Sequence, residues 1–241
     1  MNLRPSQSFK RTPLVFTILA LLLSFSALSD SLQGSKEAKL LVEPAGQQAF
    51  VEHKFKHLVA KINQSLKLNQ KQFEQSPMDL AKYVDAELIP LWASHKTLAA
   101  LVGAKSWRQM PLASRHALQV SFNNTLQRYV QEGFDHYDGQ TIEFVGIRLN
   151  KRQNRGYLTI KVIPNLLPSF NIDLRIGWLE DGNSGGDQSN RDWYLYDAMV
   201  QGVSYVTLKK DDYRHRLQEG VDALIASIDL KNQGYLPSRL N

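Results

Sequence analysis

The segment FNIDLRIGW, residues 170–178, decides the fold prediction because its apolar residues alternate strictly with polar ones. The residues on its apolar side are Phe170, Ile172, Leu174, Ile176 and Trp178. A period of two is typical of a β-strand that buries one face and exposes the other to water. The segment therefore predicts a half-buried strand of an antiparallel sheet.

Neighbouring segments repeat this alternation. TIEFVGIRLN (141–150) and GYLTIKVIP (156–164) precede the segment, and WYLYDAMVQGVSYV (193–206) begins as a fourth strand after it. Polar or proline-containing turns separate these strands, and the Gly/Ser/Asn/Asp-rich stretch 180–192 reads as a long hairpin loop. The pattern predicts an antiparallel meander over about residues 140–208.

Helical spacing of apolar residues marks the chain before the sheet. An amphipathic helix of about five turns starts at Phe50, and MDLAKYVDAELI forms another helix. In SHKTLAALVG we expect Ser94 as the N-cap and Gly103 as the stop. A long helix follows Pro111 and ends near Gly139.

The order of the elements predicts an α+β fold, because helices precede a meander and one more helix, about 211–230, closes the chain. We expect several helices packed on one face of a curved antiparallel sheet of about four to five strands. The prediction is a single domain over 47–241, with its helical part at about 47–139 and a linker at 30–46 before it.

The first residues have the layout of a secretory signal peptide. Arg4, Lys10 and Arg11 precede the apolar run 13–28, and small residues lead to a cleavage point after Ser29. Cleavage would lower the net charge from +6 to +3, because the segment holds three basic and no acidic residues. We predict an exported protein; an uncleaved N-terminal anchor is the alternative.

Composition narrows the function further. Cysteine is absent from the 241 residues, which excludes a disulfide scaffold, thiol chemistry and a lipid-modified N-terminal cysteine. Basic residues are scattered among acidic ones, so no nucleic-acid partner is predicted.

Two residues in WYLYDAMVQGVSYV are candidates for acid and nucleophile chemistry. Val206 stands two residues after Ser204, where a nucleophile elbow needs glycine, and Asp197 has no recognisable partner carboxylate. A structural role is favoured for both, with Asp197 bonded to backbone or to the turn around Gly202. An exported small α+β hydrolase stays open as an alternative function.

A histidine pair and a glycine-rich loop also suggest sites. His53 and His57 stand four apart, a spacing that metal ligands use, but no convincing third ligand appears in the sequence. GNSGGD lacks the Lys and the helix of a phosphate-binding loop. We therefore predict no metal and no cofactor.

The strand faces carry enough apolar residues to line a pocket against the helices. These residues are Val145, Ile147, Leu158, Ile160, Val162, Ile172, Leu174 and Ile176. Such a layer can close as a packed core or stay open as a ligand pocket. The residues alone favour the packed core, which would suit an envelope adaptor that binds partners and no ligand.

Two blocks resemble the MlaC family of periplasmic phospholipid-binding proteins, also called the toluene-tolerance auxiliary component. One is ELIPLWASHKTLAALVGAKSWRQM (87–110), with a proline, a short helix, a Leu-x-Gly stop and a Trp-Arg pair. The other is WYLYDAMVQGVSYVTLKKDDYRHRLQEGVDALI (193–225), in which Trp193, Asp197, Gly202 and Ser204 match the family's structural motif. Gln201 and the stretch 208–210 depart from the family pattern, which puts partner contacts in doubt.

The resemblance implies a non-enzymatic, monomeric carrier of glycerophospholipid between the outer and inner membranes, which maintains lipid asymmetry. It also implies that an apolar cavity between sheet and helices holds the acyl chains through the strand residues named above. The implied partners are an inner-membrane ABC transporter with an MCE-domain protein and an outer-membrane lipoprotein associated with a porin.

Overall fold

A computed structural model describes residues 45–178 and 193–233 of the chain, with side chains from residue 48 onward. The predicted signal peptide, all of the predicted linker except residues 45 and 46, and the predicted hairpin loop 180–192 lie outside the described residues.

Seven α-helices are described in the two ranges. They are α1 (Ala45–Gln75), α2 (Pro77–Tyr83), α3 (Ser94–Val102), α4 (Ala104–Gln109), α5 (Leu112–Phe134), α6 (Tyr205–Gln218) and α7 (Val221–Asn232). A π-helical turn (Val84–Leu88) and a 3-10 turn (Ile89–Leu91) connect α2 to α3. One predicted helix, MDLAKYVDAELI, therefore consists of three shorter helical pieces.

Five strands of the described ranges form an open antiparallel sheet. They are β1 (Thr141–Leu149), β2 (Arg155–Ile163), β3 (Phe170–Trp178), β4 (Trp193–Val200) and β5 (Val203–Ser204), and they neighbour one another in chain order. Helices cover one face of this sheet, which confirms the α+β prediction. The alternation in residues 170–178 corresponds to β3 over its whole length.

A β-bulge in β1 changes which residues face the helices. Phe144 pairs with Ile160 and Gly146 pairs with Thr159, so Val145 has no partner in β2. The extra residue reverses the alternation beyond it. Val145 is 53% exposed, although the uninterrupted pattern placed it on the apolar side with Ile147.

Several helix predictions were wrong in detail. α1 begins at Ala45 and has 31 residues, more than the five turns predicted from Phe50, and α5 ends at Phe134, before Gly139. Ser94 is the first residue of α3 and not its N-cap, since Ala93 holds that position and the Ser94 hydroxyl donates to Asn123 Oδ1 at 2.6 Å. The predicted closing helix 211–230 is two helices, and the first begins at Tyr205 directly after β5. Gly220 separates α6 from α7. Its φ of +114° is a backbone conformation that residues with a side chain rarely adopt.

Asn63 of α1 pairs with the edge of the sheet. Its side-chain amide donates to the carbonyl of Ile142 and accepts from the Ile142 amide at 2.9 Å. One side chain thus offers β1 the donor and acceptor that a neighbouring strand would offer. This contact fixes the long helix against the first strand.

The chain turns sharply between β4 and α6. Gln201 and Gly202 both have positive φ, +48° and +80°, as a two-residue type I′ hairpin turn requires. Beyond it, Ser204 caps α6 by accepting from the Thr207 amide at 3.1 Å and donates to Asp197 Oδ2 at 2.6 Å. The other oxygen of the fully buried Asp197 accepts from the Val206 amide at 3.1 Å, so one carboxylate holds strand and helix together.

A buried polar network joins α7 to α5. Arg128 forms an ion pair with Glu132 at 2.8 Å and donates through Nε to Asn232 at 3.1 Å. Asn232 in turn donates to the Ser121 carbonyl at 3.1 Å. These bonds satisfy groups that would otherwise be costly to bury, and they place the last described helix.

Within the described residues, no helix combines the length and the apolar composition needed to cross a bilayer.

We predict that Ser204→Ala destabilises the protein by about 2–3 kcal/mol, because a helix cap is lost and a buried Asp197 oxygen loses its donor. Urea unfolding measures the free energy of unfolding. The control is Ser169→Ala, at an exposed serine of the β2–β3 loop, which should stay within about 0.5 kcal/mol of the wild type. Equal unfolding free energies for the two variants would contradict the assignment.

Candidate functional site

An apolar cavity of about 510 Å³ lies between the helix-covered face of the sheet and the helices. This volume is within the range of pockets that hold small-molecule and cofactor ligands in proteins. The cavity overturns the packed core that residue patterns alone favoured.

Four strands and six helical pieces supply the lining. The sheet contributes Ile142, Leu158, Ile160, Ile172, Leu174, Leu195 and Ala198. The helical side contributes Leu58, Val59, Ile62, Leu66, Leu80, Tyr83, Val84, Leu88, Ile89, Leu91, Trp92, Leu126, Tyr129, Val130 and Tyr205. Every one of these side chains is aliphatic or aromatic.

The helices leave this space because they meet the sheet at its flanks. α1 runs along the edge strand β1, whereas α3, α6 and the 3-10 turn approach β4. The backbone of Trp92 forms an isolated parallel β-bridge with Leu195, and the Ala93 amide donates to the Leu195 carbonyl at 2.7 Å. Among the described helices, none brings its backbone close to the central strands β2 and β3.

In the described part of the chain, three core clusters lie around the cavity. The first joins α3, α5, α6 and α7 around Phe122, and the second joins α1 to the sheet around Phe55. The third joins α1 and α2 around Phe73. Buried residues of the second and third clusters, Leu158, Leu80 and Val84, also line the cavity, so core packing positions part of its wall.

The polar atoms of the lining are engaged with protein partners. Trp92 Nε1 donates to Thr97 Oγ1 at 2.8 Å. Tyr205 is hydrogen-bonded to Tyr129, which lines the cavity with it, and to Tyr213 behind it. Burial raises the pKa of Tyr205 well above 10 and that of Tyr213 to about 12, so both phenols stay neutral at ordinary pH.

The lining can therefore bind apolar groups but offers little for acid–base chemistry. Among the described residues, no Asp, Glu, His, Lys or Arg lines the cavity. Apolar groups gain roughly 0.8 kcal/mol for each methylene they bury, without needing a directional partner. The arrangement fits one or more hydrocarbon chains.

The structure divides the eight strand residues predicted to bind lipid. Leu158, Ile160, Ile172 and Leu174 line the cavity. The other four lie outside its lining: Ile147 and Ile176 are buried in the α1–sheet cluster, Val162 is half-buried, and Val145 is exposed at the bulge. Contact of any of the eight with lipid stays a prediction.

The prediction missed the sheet residue Ile142, because the bulge hides its equivalence to Ile147 on the same face. It also missed all of the helical lining. Those residues follow ordinary helical spacing, and such spacing marks burial without telling whether a residue faces core or cavity. No sequence signal separates Leu58 from Phe55, although the first lines the cavity and the second is core.

The candidate catalytic and metal residues lie away from the cavity. Asp197 and Ser204 bond to each other and to the start of α6, in the strand–helix corner described above. His53 and His57 are exposed on α1. In the two described ranges, no group of three or more metal-ligating side chains is clustered.

Comparison with known proteins relates the chain to a protein family and to solved structures. The model of the family described as MlaC protein matches residues 56–229. A solved structure of a phospholipid-binding protein from Ralstonia solanacearum, in complex with a phospholipid, superposes with a TM-score of 0.59 at 18% sequence identity. The match covers 79% of this chain and 99% of that protein, so the two share their fold.

We predict that the buried tyrosines make the protein less stable in alkali. Tyr213 keeps its proton up to about pH 12 when folded but loses it near 10 when unfolded, so its stabilising effect is complete below pH 10 and falls between 10 and 12. The loss is roughly 1.4 kcal/mol per pH unit for one such group. Tyr213→Phe should flatten this fall in urea unfolding measured from pH 9 to 12.

At pH 7 the same variant should lose about 1 kcal/mol, the net value of one hydrogen bond to Tyr205. The same dependence on pH in wild type and variant would show that Tyr213 does not contribute.

Proposed function

The chain belongs to the MlaC family, and on this basis we propose that it is a phospholipid carrier whose acyl chains occupy the sheet–helix cavity. The observation that carries the proposal is the all-apolar lining of that cavity, which has no charged side chain among the described residues. The phospholipid bound to the Ralstonia solanacearum protein of the same fold supports the choice of ligand.

Physical chemistry explains why such a carrier is needed. Two long acyl chains in water cost on the order of 20 kcal/mol or more, at about 0.8 kcal/mol for each exposed CH₂. Unaided lipid therefore does not cross an aqueous gap at a useful rate. A cavity lined like this one removes most of that barrier, because the chains exchange one apolar environment for another.

The apolar cavity alone does not give lipid transport a direction. Since bilayer and cavity are similarly apolar, the affinity for lipid relative to a membrane is modest, and direction comes from the partners. Burial of the chains is not directional, so different head groups are tolerated if the head stays outside the cavity. The carrier makes and breaks no covalent bond and uses no cofactor.

The protein carries lipid in the periplasm, after cleavage of the signal peptide. There the protein shuttles glycerophospholipid between outer and inner membranes and so maintains outer-membrane lipid asymmetry. It works as a monomer with an inner-membrane ABC transporter that bears an MCE-domain protein, and with an outer-membrane lipoprotein–porin complex. Family membership and the N-terminal sequence pattern support these assignments.

We predict that phospholipid co-purifies with the protein when it is produced with its own N-terminal segment in a Gram-negative envelope. Native mass spectrometry, followed by lipid extraction, measures bound lipid per protein. A chain that never carries phospholipid under these conditions would contradict the carrier function.

We predict that Ile160→Asp abolishes lipid retention, because it places a charge against acyl chains in a cavity that offers no partner. The matched control is Val145→Asp, the same kind of change on the neighbouring strand at a side chain that is 53% exposed. It should retain lipid at the wild-type level. Circular dichroism shows whether each variant folds.

A second variant keeps the test valid if Ile160→Asp unfolds. Ala198→Trp adds apolar volume inside the cavity without charge and should lower bound lipid at least several-fold. Val145→Trp is its exposed control. Folded Ala198→Trp protein with unchanged lipid content would contradict the placement of the acyl chains.

A further inference from the structure

A second pocket, of about 490 Å³, lies on the opposite face of the sheet from the lipid cavity. Its charged and aromatic lining consists of Arg148, Arg155, Arg175, Tyr157 and Tyr196. Tyr157 precedes Leu158 of the cavity lining, and successive side chains of a strand point to opposite faces. The sheet therefore separates this pocket, which we call the arginine pocket, from the cavity.

Strand register brings the cations together. Arg148 pairs with Tyr157 across β1 and β2, and Tyr157 pairs with Arg175 across β2 and β3. The two guanidinium carbons lie 5.9 and 5.8 Å from the centre of the Tyr157 ring. Both distances are within the range of cation–π attraction, so both arginines interact with the same ring.

The positive charge of the arginine pocket is not neutralised by its lining. Among the described residues, no carboxylate lines the pocket, and Arg148 and Arg155 have no ion pair. Arg175 forms an ion pair with Asp197 at 3.7 Å, so the uncompensated charges of the pocket are those of Arg148 and Arg155. The Nε–H of Arg175 is buried without a hydrogen-bond partner.

Further donors surround the cations. Burial raises the pKa of Tyr196, although Arg175 and Arg155 nearby oppose the shift, so its hydroxyl is a neutral donor at pH 7. A smaller concavity beside the pocket, on the β1–β2 hairpin, adds Lys151 and Arg152. Five cationic residues thus lie at one end of the sheet, three in the arginine pocket and two on the adjoining hairpin.

We propose that the arginine pocket binds phosphate groups. Guanidinium groups present paired N–H donors that match the oxygens of a phosphate, and they remain charged at any physiological pH. Phosphate also accepts from a neutral hydroxyl such as that of Tyr196. The ligand is either a free phosphate compound or the phosphates of lipid head groups at a membrane surface.

The site is independent of the lipid cavity, and its test does not rely on lipid transport. The full chain is titrated by calorimetry with inorganic phosphate and with glycerol 3-phosphate, at low ionic strength with chloride as the competing anion. Sedimentation with vesicles of phosphatidylcholine, with and without phosphatidylglycerol, reports on the membrane source. The difference between the two vesicle types removes the contribution of lipid uptake.

The test variants are Arg148→Gln, Arg155→Gln and the double variant. Arg175 is left intact because it faces Asp197 in the strand–helix corner. Lys105→Gln is the control, since Lys105 is exposed on α4 and its replacement removes the same charge. Thermal melting and bound-lipid content verify that each variant is folded.

We expect the double variant to bind its ligand at least tenfold more weakly and Lys105→Gln to stay within twofold of the wild type. Phosphate binding that depends on the two arginines identifies a soluble phosphate compound as a ligand. Binding to anionic vesicles alone, with the same dependence, identifies lipid head groups. Equal binding by wild type and double variant, or no binding of any probe by the wild type, would overturn the proposal.

Discussion

Attachment of the helices to the flanks of the sheet is the constraint on which the cavity depends. α1 is fixed to β1 by Asn63 and by the cluster around Phe55, whereas Ala93 fixes the start of α3 to β4. No described helix brings its backbone close to the central strands β2 and β3, and apolar side chains of these strands line the cavity. If the helices approached β2 and β3 as closely as they approach β1 and β4, the apolar residues of β2 and β3 would form an ordinary core.

The sheet was predictable because a period of two survives in the sequence wherever a strand has one buried face. β2 and β3 follow it without interruption, and the prediction of both holds. The bulge in β1 was not predictable, since Val145 looks like any other apolar residue and its displacement depends on pairing with β2. Gly220 could have been recognised as a helix break, but the apolar spacing of Leu217, Val221 and Leu224 continues across it.

Residue patterns could not predict whether the apolar residues of the sheet form a packed core or line a cavity. Leu158 and Leu174 are compatible with both a packed core and a cavity, because both arrangements need only an apolar side chain on the inner face of the sheet. The difference lies in the distance between layers, which long-range contacts such as that of Trp92 with Leu195 determine. The resemblance to a family indicated the cavity. The arginine pocket was not predictable from residue patterns either, because its arginines are far apart in the sequence and come together only across neighbouring strands.

Asn63 has a further consequence for the edge of the sheet. An exposed edge strand offers unpaired backbone groups to other chains, and proteins with open sheets need some means to avoid edge-to-edge aggregation. The Asn63 amide occupies the backbone groups of Ile142, and the bulge at Val145 twists β1 a few residues further along. At the opposite edge, β5 is two residues long and passes directly into a helix. Both edges of the sheet are thus poor templates for the addition of a strand from another molecule.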